Sequence, residues 1–157
     1  METWEGGMKD RKLYIAYGSN MHTGQMAVRC PSATVIGKGI LHGYRMMFRG
    51  AHRSGVATIE RSDGNDLPIL LWEITPDDEK ALDRYEGYPY LYRKETIPVY
   101  FEGKTLRAMA YVMNERYPYT VPSRGYESII ARGYRDMGVP RRILDRAIKE
   151  TMEAIYD

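Results

Sequence analysis

Two short stretches carry residue types that could do chemistry. The first is Tyr17-Gly18-Ser19-Asn20, directly after the apolar run Leu13–Ala16. A buried strand that stops on Gly-Ser-Asn leaves backbone N–H groups that the sheet does not pair. Glycine permits a close approach or a positive φ, and serine and asparagine add a hydroxyl and an amide. N–H groups at such a turn, at the entry to a helix, suit a carboxylate. The same residues also make an ordinary strand-to-helix turn with an asparagine cap.

The second stretch is Leu82-Asp83-Arg84-Tyr85-Glu86-Gly87-Tyr88-Pro89-Tyr90-Leu91-Tyr92. Leu82, Tyr85 and Glu86 stand at i, i+3 and i+4, on the helix face that looks at a sheet. Gly87 then ends the helix. A helix C-terminus disfavours negative charge, and burial raises a carboxyl pKa. Both push Glu86 toward a base useful near neutral pH. Tyr88, Tyr90 and Tyr92 can supply hydrogen bonds and apolar walls. The alternative is a surface glutamate paired with Arg84 or Arg93.

Other chemistries lack their patterns. His22, His42 and His52 form no i, i+4 pair, and Cys30 has no partner at ligand spacing, so no zinc motif is present. Gly37-Lys38-Gly39 lacks the spacing of a phosphate-binding glycine loop, and Ser19 lies outside any Gly-x-Ser-x-Gly. Cys30, next to Pro31 near a helix end, reads as a buried structural thiol. The methionines read as gap-filling core, and the arginines of the C-terminal helices as a solvated face.

The elements that must position these groups follow from local pattern. Leu13–Tyr17 is a strand and Thr23–Cys30 a short helix stopped by Pro31. Ala33–Arg49 is one long strand bent at Gly37, Gly39 and Gly43. Gly55–Glu60 and Leu67–Ile74 are expected to form a hairpin around the Asp-Gly turn in Arg61–Asp66. Thr75 caps a helix with Pro76 at its first position and acids in its first turn. Leu91–Phe101 and Thr105–Met113 form a second hairpin. Tyr126–Met137 is a helix ended by Gly138, and Pro140–Tyr156 is a last helix with Ile143, Leu144, Ala147, Ile148, Met152 and Ile155 on its apolar face. Two hairpins and bent, glycine-rich strands predict an α+β fold. Its mixed, strongly curved sheet of about six strands makes a small barrel-like core with helices packed outside.

Bulk properties narrow the class. The chain has 157 residues, which fits one domain, expected over 12–157 after a loose tail at 1–11. A net charge of +2 gives no electrostatic case for nucleic acid or an anionic membrane. A single cysteine excludes an internal disulfide framework and points to a reducing cytoplasm. No apolar run approaches the roughly 20 residues of a membrane-spanning helix, and the N-terminus lacks the apolar segment of a secretory signal. Tyrosine occurs 14 times against two phenylalanines. That bias suits a semi-polar pocket, since tyrosine joins an apolar ring to a polar tip.

Taken together, the two motifs resemble the γ-glutamylcyclotransferase-like superfamily. Its members open with a strand ending in Tyr-Gly-Ser-Asn or a close variant, here Tyr17 to Asn20, and carry a glutamate in Leu-Asp-x-x-Glu-Gly, here Leu82, Asp83, Glu86 and Gly87. The likeness continues at Tyr92, at Tyr126-Glu127-Ser128-Ile129-Ile130 and at Gly138-Val139-Pro140, and spans roughly residues 13 to 150. It implies a cofactor-free and metal-free enzyme, a monomer or homodimer. The α-amine of a γ-glutamyl amide attacks its own γ-carbonyl, releasing 5-oxoproline and an amine or amino acid. By that resemblance Gly18 and Ser19 offer N–H groups to the α-carboxylate, and Tyr17, Asn20 and Met21 shape the pocket. Glu86 is the acid/base, and Tyr92 and Tyr126 line the walls. The leaving-group pocket is expected from Asn114–Arg124 and from the region Arg49–Arg53. Two other classes stay open: a non-catalytic binder of a small carboxylate, and an amide hydrolase using Ser19.

Overall fold

The computed structural model describes residues 10–50 and 54–157. Positions 1–9 of the expected tail, His52 and most of the Arg49–Arg53 region lie outside the described residues. Arg11 is tied to Glu73 at 3.3 Å.

The chain runs β1 (Lys12–Ala16), a 3-10 turn (Ser19–Met21), α1 (Thr23–Arg29), β2 (Thr34–Arg49), β3 (Val56–Ile74), α2 (Pro76–Glu86), β4 (Tyr92–Phe101), β5 (Lys104–Met113), α3 (Arg124–Met137) and α4 (Arg141–Tyr156). Five strands close a barrel in the order β1-β3-β2-β4-β5, with β5 returning to β1 in parallel at Tyr14↔Met109. The α+β barrel expectation holds, with one strand fewer than expected.

The missing strand has a clear cause. Val56–Ile74 is a single strand, and both its halves pair with β2, not with each other. The register runs from Tyr44↔Arg61 to His42↔Asp66, so Ser62–Asn65 form a wide excursion opposite one residue, Gly43. Asn65 Nδ2 donates to Ser62 Oγ at 2.5 Å within it. Gly43 takes φ +80°, which bends β2 at that point. The Asp-Gly chemistry therefore makes a bulge here and not a reversal. The second expected hairpin, β4–β5, is present from Tyr92↔Met113 to Phe101↔Lys104.

Helix ends follow the residues that specify them. Thr75 Oγ1 accepts from Asp78 N at 3.2 Å while Asp78 Oδ2 accepts from Thr75 N at 3.0 Å, a reciprocal cap on α2. Gly87 closes α2 in the left-handed conformation, φ +67°. Ser123 caps α3 by accepting from Tyr126 N at 3.2 Å, which fixes Tyr126 in the first turn. On α4, Leu144 and Ala147 are buried as expected, but Met152 and Ile155 are exposed. Thr151 takes the buried position and its Oγ1 accepts the Phe48 N–H at 3.1 Å, so a polar residue docks the helix on β2. Among the described residues no helix is long and apolar enough to cross a membrane.

Candidate active site

A cavity of about 240 Å³ opens where the end of β1, the end of α2 and the start of α3 meet the barrel. Glu86, Tyr17, Gly18, Ser19, Asn20, Tyr92 and Tyr126 all face it. The two stretches, more than sixty residues apart in the sequence, thus line one cavity. Met21 does not join them. It is fully buried beneath the turn, because α3 presses on its backbone. A Cβ on Gly133 would sit 2.9 Å from His22 N and 3.1 Å from the Met21 carbonyl oxygen.

The turn is shaped by a close approach, not by a positive φ. Gly18 has φ −119°, and a Cβ there would lie 2.9 Å from the Ala57 Cβ. The turn's internal bonds run from Met21 N to Gly18 O and from His22 N to Ser19 O, both 3.0 Å. The N–H groups of Ser19 and Asn20 make no such bond among the described residues, as expected where a helical turn begins.

Two tyrosines hold the wall beside this turn. Tyr92 OH donates to the Ala57 carbonyl at 2.6 Å, and Tyr126 OH accepts the Ala57 N–H at 3.0 Å. Tyr17 OH donates to the Tyr111 carbonyl at 2.5 Å. Six of the 14 tyrosines line the cavity: Tyr14, Tyr17, Tyr85, Tyr92, Tyr111 and Tyr126. Tyr88 and Tyr90 do not. The chain turns outward after Gly87, leaving Tyr90 exposed and setting Tyr88 against Lys94, 4.2 Å from its ring centroid.

Glu86 supplies the one carboxylate in this lining. Among the described residues no hydrogen bond or ion pair holds its carboxyl group, and Arg93 instead pairs with Glu95 and Glu115. The surface-pair alternative is therefore absent. Burial pushes the Glu86 carboxyl up to about 8, opposed by the positive charge of Arg29. Burial, followed by the nearby Glu86 charge, raises the phenols of Tyr14 and Tyr17 well above their ordinary range. Burial likewise raises Tyr92 and Tyr126. Burial thus keeps these four phenols as neutral hydrogen-bonding groups and moves the Glu86 carboxyl toward neutral pH.

Sequence reasoning missed Tyr14, Val56, Ala57, Leu91 and Tyr111 as lining residues. Each lies in or beside an apolar strand and reads as core. The expected leaving-group loop Asn114–Arg124 stays outside the lining. It is tied to the β2–β3 end by Thr120 N to Phe48 O at 3.1 Å and Gly55 N to Val121 O at 2.8 Å. Arg49 stacks on Tyr119 at 3.9 Å and donates to the Tyr117 carbonyl at 2.7 Å. Cys30 is buried, with its thiol near the Asp78 carbonyl at 3.6 Å, and burial raises it to about 11. Both features fit a structural thiol.

A closed five-stranded barrel whose cavity brings an unpartnered, half-buried carboxyl group together with a Gly-Ser-Asn turn defines the architecture of this chain. The chain belongs to the family described as gamma-glutamyl cyclotransferase, AIG2-like, whose model matches residues 14–133. It is 29% identical over 138 residues to the gamma-glutamylcyclotransferases of Bos taurus and Homo sapiens, spanning 82% of this chain and 72% of each relative. Two solved structures are similar over most of their length. One, an uncharacterized Homo sapiens protein, has TM-score 0.77 and 28% identity, covering 88% of this chain and 87% of that one. The other, a gamma-glutamyl cyclotransferase, has TM-score 0.76 and 28% identity, covering 87% and 86%. A yeast cyclotransferase described as specific to glutathione shares the fold at TM-score 0.62 and 10% identity.

Proposed function

We propose that the protein cyclises γ-glutamyl amides to 5-oxoproline with release of an amine or amino acid. The observation that carries this reading is Glu86: a half-buried carboxyl, held by no other side chain among the described residues, lining one cavity with the Ser19–Asn20 turn and a set of tyrosines.

The substrate α-carboxylate sits on the N–H groups of Gly18, Ser19 and Asn20. This bends the glutamyl arm so that its α-nitrogen reaches the γ-carbonyl. The nucleophile belongs to the substrate, so positioning supplies much of the rate through effective concentration. The incoming α-ammonium lowers the Glu86 pKa by direct charge attraction, and Glu86 takes one of its protons. The freed lone pair attacks the γ-carbonyl carbon. The new C–N bond forms, the old amide C–N bond breaks, and the leaving nitrogen departs as an ammonium. Two protons leave the α-nitrogen and both end on the leaving group, so one carboxyl group can shuttle them in turn. Such proton transfer typically contributes about 10²–10⁴-fold. Ser19 gives little support to a hydrolase, because its hydroxyl meets the Tyr85 hydroxyl at 3.3 Å and no base among the described residues.

The test is product analysis. Purified protein is incubated with a panel of γ-glutamyl amino acids and amines, and products are read by mass spectrometry beside E86Q. The expected result is 5-oxoproline from wild type and at least a 10²-fold loss in E86Q. Glutamate in place of 5-oxoproline overturns the mechanism. No turnover across the panel, with binding of 5-oxoproline seen by thermal shift, reduces the site to a binding pocket.

A further inference from the structure

Arg29, in the last turn of α1, stands behind the cavity wall and joins two parts of it. Its guanidinium carbon lies 3.5 Å from the centre of the Tyr85 ring. One terminal nitrogen donates to Asn20 Oδ1, and the other donates to Gln25 Oε1 at 2.5 Å. Asn20, held from that side, donates its own amide to Tyr14 OH at 2.8 Å. Tyr85 in turn meets the Ser19 hydroxyl. One guanidinium therefore braces the carboxylate-binding turn and the residue next to Glu86 together. Its hydrogen-bonded side-chain partners are neutral amides, so its charge is not cancelled by them.

The other groups around Glu86 carry no charge. Tyr14 and Tyr17 come from β1, Tyr85 from α2, Tyr92 from β4, Tyr111 from β5 and Tyr126 from α3. Behind Tyr111, Asp83 accepts its hydroxyl at 2.6 Å and pairs with Lys94 at 3.0 Å, and Lys94 also meets Glu79 at 2.6 Å. Lys12 meets Glu79 as well, at 2.9 Å, so two ammonium groups face two carboxylates and that cluster balances itself.

We propose that Arg29 is a positioning residue of this site: it fixes Asn20 and Tyr85 as one wall and sets the charge that both Glu86 and the substrate α-carboxylate experience. The inference rests on the cyclisation reading for its kinetic part. The guanidinium favours the Glu86 carboxylate at rest, which keeps part of the enzyme in the base form. Through Asn20 it also polarises the turn toward an anion. A lysine keeps the charge but cannot stack and fork in the same way.

R29M and R29K separate the two roles. The readouts are the pH profile of kcat/KM on the best substrate of the panel, and the carbon-13 titration of the Glu86 carboxyl, assigned by its loss in E86Q. In R29M both the acid limb and the titration are expected to move up by about half a unit or more, with KM raised about tenfold. In R29K the limb and titration stay near wild type while KM remains raised. A Glu86 titration that does not move in R29M overturns the proposal, as does one that moves equally in R29K. If R29M does not fold, an unmoved titration with raised KM in R29K supports it, and an upward shift there overturns it. Should wild type form no 5-oxoproline, the cyclisation reading falls while the carboxyl titration still decides the role of Arg29.

Discussion

Gly18 lies against Ala57 so closely that any side chain on the first collides with the second. The two Cβ atoms would be 2.9 Å apart, well inside contact distance. Ala57 cannot step aside, since its N–H and carbonyl are held by Tyr126 and Tyr92. Gly18→Ala must therefore displace the turn that faces Glu86. The expected outcome is a loss of about 10²-fold or more in kcat/KM with about 1–3 kcal/mol of stability. G18A/A57G removes the colliding carbon and should recover a large part of both losses, measured by 5-oxoproline release and urea denaturation. Equal activity in G18A and wild type removes the turn from the site.

The Ala57 backbone offers a second check. Tyr92→Phe leaves its buried carbonyl without the phenol donor, and Tyr126→Phe leaves its N–H without an acceptor. Each should cost about 1–3 kcal/mol, as an orphaned buried polar group does. The double variant should depart from additivity, because both substitutions release the backbone of one residue. Urea midpoints of the four proteins measure this. Strict additivity with costs below about 0.5 kcal/mol would falsify the clamp.

Much of this arrangement was legible in the residues themselves. The Thr75-Pro76 start and the Gly87 stop define α2, and the i, i+3, i+4 spacing then aims Glu86 inward. The Gly-Ser-Asn turn was legible as a break in the sheet. What local chemistry cannot carry is long-range pairing. The Asp-Gly signal in Arg61–Asp66 is the same for a hairpin and for a bulge, and only the length and register of β2 decide between them. Tyr14 and Tyr111 sit in apolar strands, and their polar tips meet Asn20 and Asp83 at the cavity only when the barrel closes. Tyr90 shows the reverse case, a motif neighbour that the turn after α2 sends into solvent. Arg29 looks like any solvated helix-end arginine until Asn20 and Tyr85 are placed beside it.

Glu86 should tie stability to pH in a direction opposite to most carboxylates. An unfolded glutamate releases its proton near pH ~4.3, while folded Glu86 holds it up to about 8. Between those values the folded state binds more protons than the unfolded state, so stability falls as pH rises through the window. The contribution is intact below about pH 4.5 and fully lost above about 8. Glu86→Gln, which cannot ionise, should be more stable than wild type at pH 8.5 by about 1–3 kcal/mol. That margin should shrink toward zero near pH 5. Glu79 and Glu115, whose carboxyls are lowered mainly by hydrogen bonds from lysine and arginine partners against the opposing effect of burial, are common to both proteins and cancel in the difference. The same group sets the rate, so kcat/KM should climb with pH until about 8 as Glu86 becomes the free base. Thermal unfolding of the two proteins from pH 5 to 9 checks the first part. Parallel curves with a constant offset across that range would show that Glu86 titrates like an ordinary carboxylate, and would remove its claim to be the acid/base.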